Sequence, residues 1–162
     1  MELINLKVNQ DEEIFSSFYE INKQQVPKVG SVSLEEFINL INISNISYGF
    51  MKKGKCLGFV ICLRENTNYQ SINYKFFQKR HNKFFYIDRI AIANEYQSSG
   101  IGSNLYSKLL SIKDKFNIPI CAEVNIDPPN EISINFHKKH GFSKITESTI
   151  KEGYSVVYME IN

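Results

Sequence analysis

The run from Tyr86 to Lys108, YIDRIAIANEYQSSGIGSNLYSK, limits what this chain can fold into more than any other segment. An apolar stretch of strand character gives way to a turn containing Gly100 and Gly102, and the turn opens into a helix-forming sequence. Such a connection aims a row of backbone N–H groups at one point. The first N–H groups of a helix have no intrahelical partner and carry about half a positive charge, so a phosphate is stabilised there without a basic side chain. Glycine at 100 and 102 is expected to let that backbone approach its ligand, since a Cβ would stand between amide and oxygen. The P-loop spacing is absent, and Gly102 is followed by Ser103, Asn104 and Leu105 rather than completing the dinucleotide pattern. What remains is Gln97-Ser98-Ser99-Gly100-Ile101-Gly102, a Q-x-x-G-x-G loop.

The rest of the chain alternates strand and helix signals. Leu3 to Val8 predicts a first strand, and Asn9 with Glu12 a cap for a helix from Gln10 to Gln25, ended by Pro27. Ser33 and Glu36 have capping-box spacing before Phe37, Leu40 and Ile41. Ile46 to Lys52 and Lys55 to Leu63 predict a hairpin across Lys53-Gly54. Arg64 to His81 reads as a long polar and aromatic loop. Phe84 to Ala93 predicts a strand, Ile101 to Phe116 a helix with one apolar face, and Pro119 to Val124 another strand. Asn130 is a candidate cap for a helix ending at Gly141, and Phe142 to Ser148 and Tyr154 to Ile161 predict a closing hairpin. The expected class is α/β, a mixed sheet with helices on both faces.

At 162 residues and 43% hydrophobic content the chain supports one core, so one domain over 1–162 is expected. A net charge of +2 with scattered basic residues argues against a nucleic-acid partner. The first residues carry acids and no long apolar core, which predicts neither a signal peptide nor a membrane span and makes the cytoplasm the expected location. Cys56, Cys62 and Cys121 lie in apolar runs without C-x-x-C spacing and read as buried thiols. His81, His137 and His140 lack metal-ligand spacing, so no metal is expected.

The loop resembles the acetyl-CoA pyrophosphate loop of the GNAT N-acetyltransferase superfamily. Asn130, Ser133, His137, Gly141 and Phe142 resemble that superfamily's N-x-x-A-x-x-x-Y-x-x-x-G-F pattern, with Ser for Ala and His for Tyr. Asn22, Val26-Pro27, the Tyr69 to Phe77 segment, Glu123-Val124-Asn125 and Pro128-Pro129-Asn130 are similar to a branch of predicted acetyltransferases whose substrate is not established. The resemblance implies a mostly antiparallel sheet of about seven strands, splayed between the fourth and fifth. It implies acetyl-CoA as co-substrate, held by the backbone of Ile90, Ala91 and Ile92, by Gln97, Ser98, Ser99, Gly100, Ile101, Gly102 and Ser103, and by Asn130. The implied partner is a small-molecule or amino-acid-like amine, with a protein or peptide amine as the alternative and a homodimer as a possible assembly. An acyl-CoA-binding sensor without turnover is the reading from another class.

Acetyl transfer needs a neutral amine, a polarised thioester carbonyl and a proton for the thiolate. Asp88 and Glu123, on the strands flanking the implied gap, are candidate proton acceptors or ammonium anchors. Their structural alternatives are pairing with Arg89 and a hydrogen bond near the sheet edge. His137 replaces the superfamily's acidic Tyr and is either the proton donor or a partly buried polar residue. Asn22, Tyr74 and Asn125 are the expected acceptor-binding residues.

Overall fold

The computed structural model describes residues 1–9 and 11–162. Its elements in chain order are β1 (Glu2–Asn5), α1 (Glu12–Gln24), α2 (Leu34–Ile43), β2 (Ile46–Lys52), β3 (Lys55–Arg64), α3 (Ile72–Arg80), β4 (Phe85–Ile92), a short 3-10 turn (Asn94–Tyr96), α4 (Ile101–Phe116), β5 (Ile120–Asp127), α5 (Glu131–Lys139), β6 (Ser143–Lys151) and β7 (Tyr154–Ile161). The strands form one sheet in the order β1-β2-β3-β4-β5-β7-β6, antiparallel except between β4 and β5. This is the expected mixed architecture.

Strand β3 sits near the middle because Leu57 to Leu63 is apolar throughout and buried, and such a strand must be covered on both faces. On one face Val60, Cys62 and Ile87 join Leu105, Tyr106 and Leu109 of α4. On the other, Phe59 and Ile61 meet Phe18 of α1 and Phe37 of α2, while Leu63 and Tyr86 meet Tyr74 and Phe77 of α3.

Two irregularities of β4 create the site. It pairs with β5 only at Phe85↔Ile120 and Tyr86↔Cys121. Beyond that, β5 follows β7 as far as Asp127↔Ser155 while β4 follows β3 as far as Gly58↔Ile92, so the two parallel strands part. The second irregularity is a bulge: Ile61 lies opposite Arg89 and Cys62 opposite Ile87, which makes Asp88 the extra residue. Consecutive Asp88 and Arg89 therefore turn toward the same face and pair, Arg89 Nε donating to Asp88 Oδ2 at 2.7 Å.

Several boundaries differ from the sequence reading. β1 ends at Asn5, and a turn takes Leu6 to Val8. The cap of α1 is Asp11, whose Oδ1 accepts from Glu13 N and Ile14 N at 2.9 and 3.3 Å, while Asn9 Oδ1 accepts from Asp11 N. Gln10 lies outside the described residues. The Ser33–Glu36 capping box is present. The expected loop over Arg64 to His81 contains α3, capped by Ser71 through the N–H of Tyr74 at 3.3 Å. Among the described residues no helix is long and apolar enough to cross a membrane. Cys62 and Cys121 are buried as expected, whereas Cys56 is half-buried, and all three are free thiols.

Candidate active site

The donor side of the gap is made of backbone. Ala93 N donates to Leu57 O at 2.9 Å, and the alternation of an antiparallel ladder then assigns Ala91 to the bonded pair with Phe59. Ile90 and Ile92 consequently aim their N–H and C=O groups away from β3 and into the gap. Ala91, expected beside them, spends its backbone on β3. Gln25 Nε2 of the segment after α1 reaches Ile92 O at 3.1 Å and braces this edge.

Past the 3-10 turn, Ser98 (φ 60) and Gly100 (φ 86) are both left-handed, which folds the N–H groups of 98–103 into a concavity. Gly100 is the N-cap of α4 without any side-chain capping bond, and no described protein acceptor takes the N–H groups of Ser98, Gly100, Ile101, Gly102 or Ser103. A cradle of free donors at a helix start fits a pyrophosphate. Each glycine also has a reason within the fold itself. Gly100 is needed for its positive φ, with open space around its absent Cβ. Gly102 lets the Phe136 ring approach, since a Cβ there would lie 3.2 Å from it. Gln97 turns its side chain back to Gln25 and Asn94, Ser99 Oγ bonds Tyr96 O, and Ser103 Oγ lies 3.1 Å from His140 Nε2. These side chains hold the loop's shape. Asn130 caps α5, its Oδ1 accepting from Ser133 N at 3.3 Å.

The acceptor side is made of side chains. Extending the β4/β5 register by two residues sets Asp88 and Glu123 across from one another where the strands begin to part. Glu123 Oε1 accepts from Tyr86 O–H at 2.9 Å and from Asn73 Nδ2 at 3.1 Å, and Asn73 is held in turn by Tyr158 O–H at 2.9 Å. Its Oε2 is shielded from solvent and has no partner among the described residues. Burial, followed by the Asp88 charge, pushes the Glu123 carboxyl up to about 8. Both oxygens of Asp88 are engaged: Tyr69 O–H donates to Oδ1 at 2.5 Å and Arg89 to Oδ2. Of the two acids, Glu123 is the one with an oxygen that no described residue bonds.

The structure places four further expected residues as follows, two of them away from the roles expected. Tyr74 is 2% exposed, and its hydroxyl is spent on Arg64 O at 2.7 Å, on Gln78 and on the N–H of Thr67, so it holds α3 rather than an acceptor. His137 is 3% exposed with both ring nitrogens engaged. Nδ1 lies 2.7 Å from Ser133 O, a carbonyl that only accepts, so Nδ1 carries the proton and Nε2 accepts from Tyr106 O–H at 2.7 Å. Burial lowers it to about 4, so it is a neutral core imidazole and not a proton donor to the gap. Asn22 is buried, its Oδ1 accepting from Arg89 Nη1 at 2.9 Å. Asn125 projects from β5 and donates to Pro27 O at 3.3 Å.

Sequence reasoning missed the clasp of Gln25 on β4 and the link from Asn73 to Glu123. It also missed a cluster at the C-terminal end of α3, on the same face of the sheet as Glu123, where ligand atoms of His81, Cys121 and Glu160 lie within 4.8 Å of one another. There Arg80 grips Glu160 at 2.8 and 3.0 Å, and with His81 holds its carboxyl at about 2. No local signal connects residues this far apart in sequence.

Residues 13–142 match the model of the acetyltransferase (GNAT) family. No curated protein matches the chain by sequence. Among solved structures, the aminoglycoside 6'-N-acetyltransferase complexed with coenzyme A is similar at 11% identity and TM-score 0.73, over 99% of this chain and 96% of that one. The NatC complex bound to Gag peptide and CoA gives 14% and 0.71 over 99% and 98%. The ribosomal-protein-alanine N-acetyltransferase of Brucella melitensis gives 13% and 0.72 over 99% of both chains.

Proposed function

Because the chain belongs to the GNAT acetyltransferase family, we propose that it moves an acetyl group from acetyl-CoA directly to the primary amine of a small or amino-acid-like acceptor, with Glu123 as the proton acceptor. The observation that carries this reading is Glu123 itself: a shielded carboxylate beside the parting strands, one oxygen fixed by Tyr86 and Asn73 and the other without a partner. Acetyl-CoA supplies the thioester. The free N–H groups of Ser98 and of 100–103 suit its pyrophosphate, and the inward-facing N–H groups of Ile90 and Ile92 suit its pantetheine and acetyl carbonyl.

An amine arrives protonated and must lose a proton before its lone pair can attack. Glu123, held near 8, is matched to that task at neutral to mildly basic pH, where an ordinary carboxylate would be too weak a base. The Asp88–Arg89 pair keeps the β4 side of the acceptor site polar but nearly neutral. Positioning of amine and thioester across the gap supplies much of the remaining acceleration. The related structures carry aminoglycoside and peptide names, and both are amines. We place the reaction in the cytoplasm as part of the same reading.

The test is acetyl-CoA-dependent release of CoA over a panel of primary amines. Turnover is expected, with kcat/KM rising with pH to a plateau above about 8. Acetyl-CoA binding without turnover of any amine would favour the sensor reading.

A further inference from the structure

We propose that the acceptor is an amine with a neutral carbonyl oxygen close by, an amino-acid amide or the amino terminus of a peptide, and that Asn22, Arg89 and Asn125 receive its carbonyls. This rests on the reading of Glu123 as the group that meets the amine. Two buried side-chain atoms lack partners among the described residues, Glu123 Oε2 and Asn22 Nδ2. With Glu123 ionised the first is an acceptor, and the second is a donor in any state. A plain amine satisfies only the first, because an ammonium has protons to give and no oxygen to take one.

The Asn22 amide cannot be turned round to remove the mismatch. Arg89 only donates, so the atom 2.9 Å from its Nη1 must be the oxygen, and the N–H pair of Asn22 points elsewhere. Arg89 is fixed on its other side by Asp88, which stands across the parting strands from Glu123. Asn22, Arg89 and Asp88 thus form one bonded chain, which ends across the parting strands from Glu123.

The segment between α1 and α2 shows which chemistry these donors suit. Arg89 Nη1 reaches Gly30 O at 3.3 Å, and Asn125 Nδ2 reaches Pro27 O at 3.3 Å. Donors from β4 and β5, on either side of the gap, thus both hold main-chain carbonyls. Each bond is near the long limit for N–H···O contacts, so neither carbonyl is held tightly by its donor. When the segment lifts, the donors that held its carbonyls, together with Asn22 Nδ2, meet those of an acceptor.

Charge selects a neutral carbonyl over a free carboxylate. Arg89 is already paired with Asp88, and ionised Glu123 adds a negative charge nearby, so a second carboxylate would be repelled. The amine fits as well. An α-amino group has an ordinary value of about 7.7–8.0, close to that of Glu123, whereas a lysine or alkyl ammonium near 10 holds its proton against it.

The experiment compares kcat/KM for glycinamide and a tripeptide with a free amino terminus against propylamine, a triamine and glycine. Preference for the amide and peptide of about 10- to 100-fold or more is expected, because a site with buried donors rejects ligands that leave them unpaired. Equal or faster turnover of the plain amines overturns the inference and leaves amine acetylation standing. If no amine turns over, the transfer reading fails, and calorimetric binding of the tripeptide against the triamine decides the acceptor class by itself.

Asn22→Asp keeps an oxygen for Arg89 and replaces the orphan N–H by a second oxygen. Its amide-over-amine ratio should fall toward one, with acetyl-CoA affinity reporting that it is folded. An unchanged ratio overturns the inference. Asn125→Ala, on a partly exposed strand position, gives the same decision should Asn22→Asp not fold: KM for the tripeptide should rise severalfold more than KM for glycinamide, and parallel changes count against the proposal.

Discussion

The two walls of the gap are built from different materials. On the donor wall the ligand-facing groups are backbone: the inward amides of Ile90 and Ile92 and the unpaired N–H groups of Ser98 and of 100–103. On the acceptor wall they are side chains, Glu123, Asn73, Arg89, Asn22 and Asn125, brought together from α1, α3, β4 and β5. A backbone wall is insensitive to most substitutions and fails when its dihedral angles are spoiled. A side-chain wall can be dismantled one group at a time. Substitutions therefore test whether the division is real.

The largest effect is expected at Glu123. Glu123→Gln keeps the hydrogen-bonding shape and removes the basic oxygen, so kcat/KM should fall by roughly 10²–10⁴, the usual contribution of a general base. The rise of kcat/KM toward pH 8 should vanish with it. Acetyl-CoA affinity, which belongs to the other wall, should stay within about threefold by calorimetry, and a parallel loss of affinity would break the comparison.

The donor wall has its counterpart in Gly100→Asp. A side chain at φ 86 costs about 1–2 kcal/mol, and a carboxylate at a helix start that receives phosphate adds about 1 more. Together these predict roughly 30- to 100-fold weaker acetyl-CoA binding. Wild-type affinity in a folded Gly100→Asp protein would remove the anion cradle from 98–103.

The same division explains what the sequence disclosed. The donor wall follows from local order: a strand, a turn and a helix start occupy consecutive residues, so Gln97 to Gly102 could be read directly. The splay was implied by resemblance, and the pairing shows its cause in β5 following β7 away from β4. The acceptor wall depends on contacts between distant residues such as Asn73 and Glu123, which no local pattern encodes. Helix α3 was unreadable for a related reason. Ile72 is apolar yet 61% exposed, while Asn73 is polar yet 7% exposed, the reverse of an amphipathic helix, because Asn73 is turned inward to serve Glu123 and Tyr158. The exchange of the superfamily's Tyr for His137 invited a catalytic reading, since sequence cannot show that Tyr106 and Ser133 occupy both of its nitrogens.

A smaller effect sharpens the acceptor wall. The N–H of Asn73 favours the ionised form of Glu123, so Asn73→Leu should move the rising limb of the pH profile to higher pH, with kcat/KM near neutrality down about tenfold. A loss of rate without a shifted limb would show that Asn73 supports α3 and does not position the carboxylate. The direction of the shift is the decisive readout, since a merely structural defect has no reason to raise it.

The smallest effect on turnover is expected at His137, where the comparison can be tested from outside the gap. Its native-state value of about 4 lies below its ordinary 6.5, so the folded protein takes up this proton less readily than the unfolded chain. The stabilisation from keeping it neutral is complete above pH 6.5 and is lost as pH falls through the folded-state value, by about 3 kcal/mol in all. His137→Gln should remove that part of the acid destabilisation in urea titrations between pH 7 and 4, at some cost in stability at pH 7 from poorer bonding to Tyr106 and Ser133. Turnover should change by no more than about threefold, because the ring lies in the core between α4 and α5. A hundredfold loss of kcat in a folded His137→Gln protein would bring the imidazole into the chemistry and give the donor wall a side chain of its own.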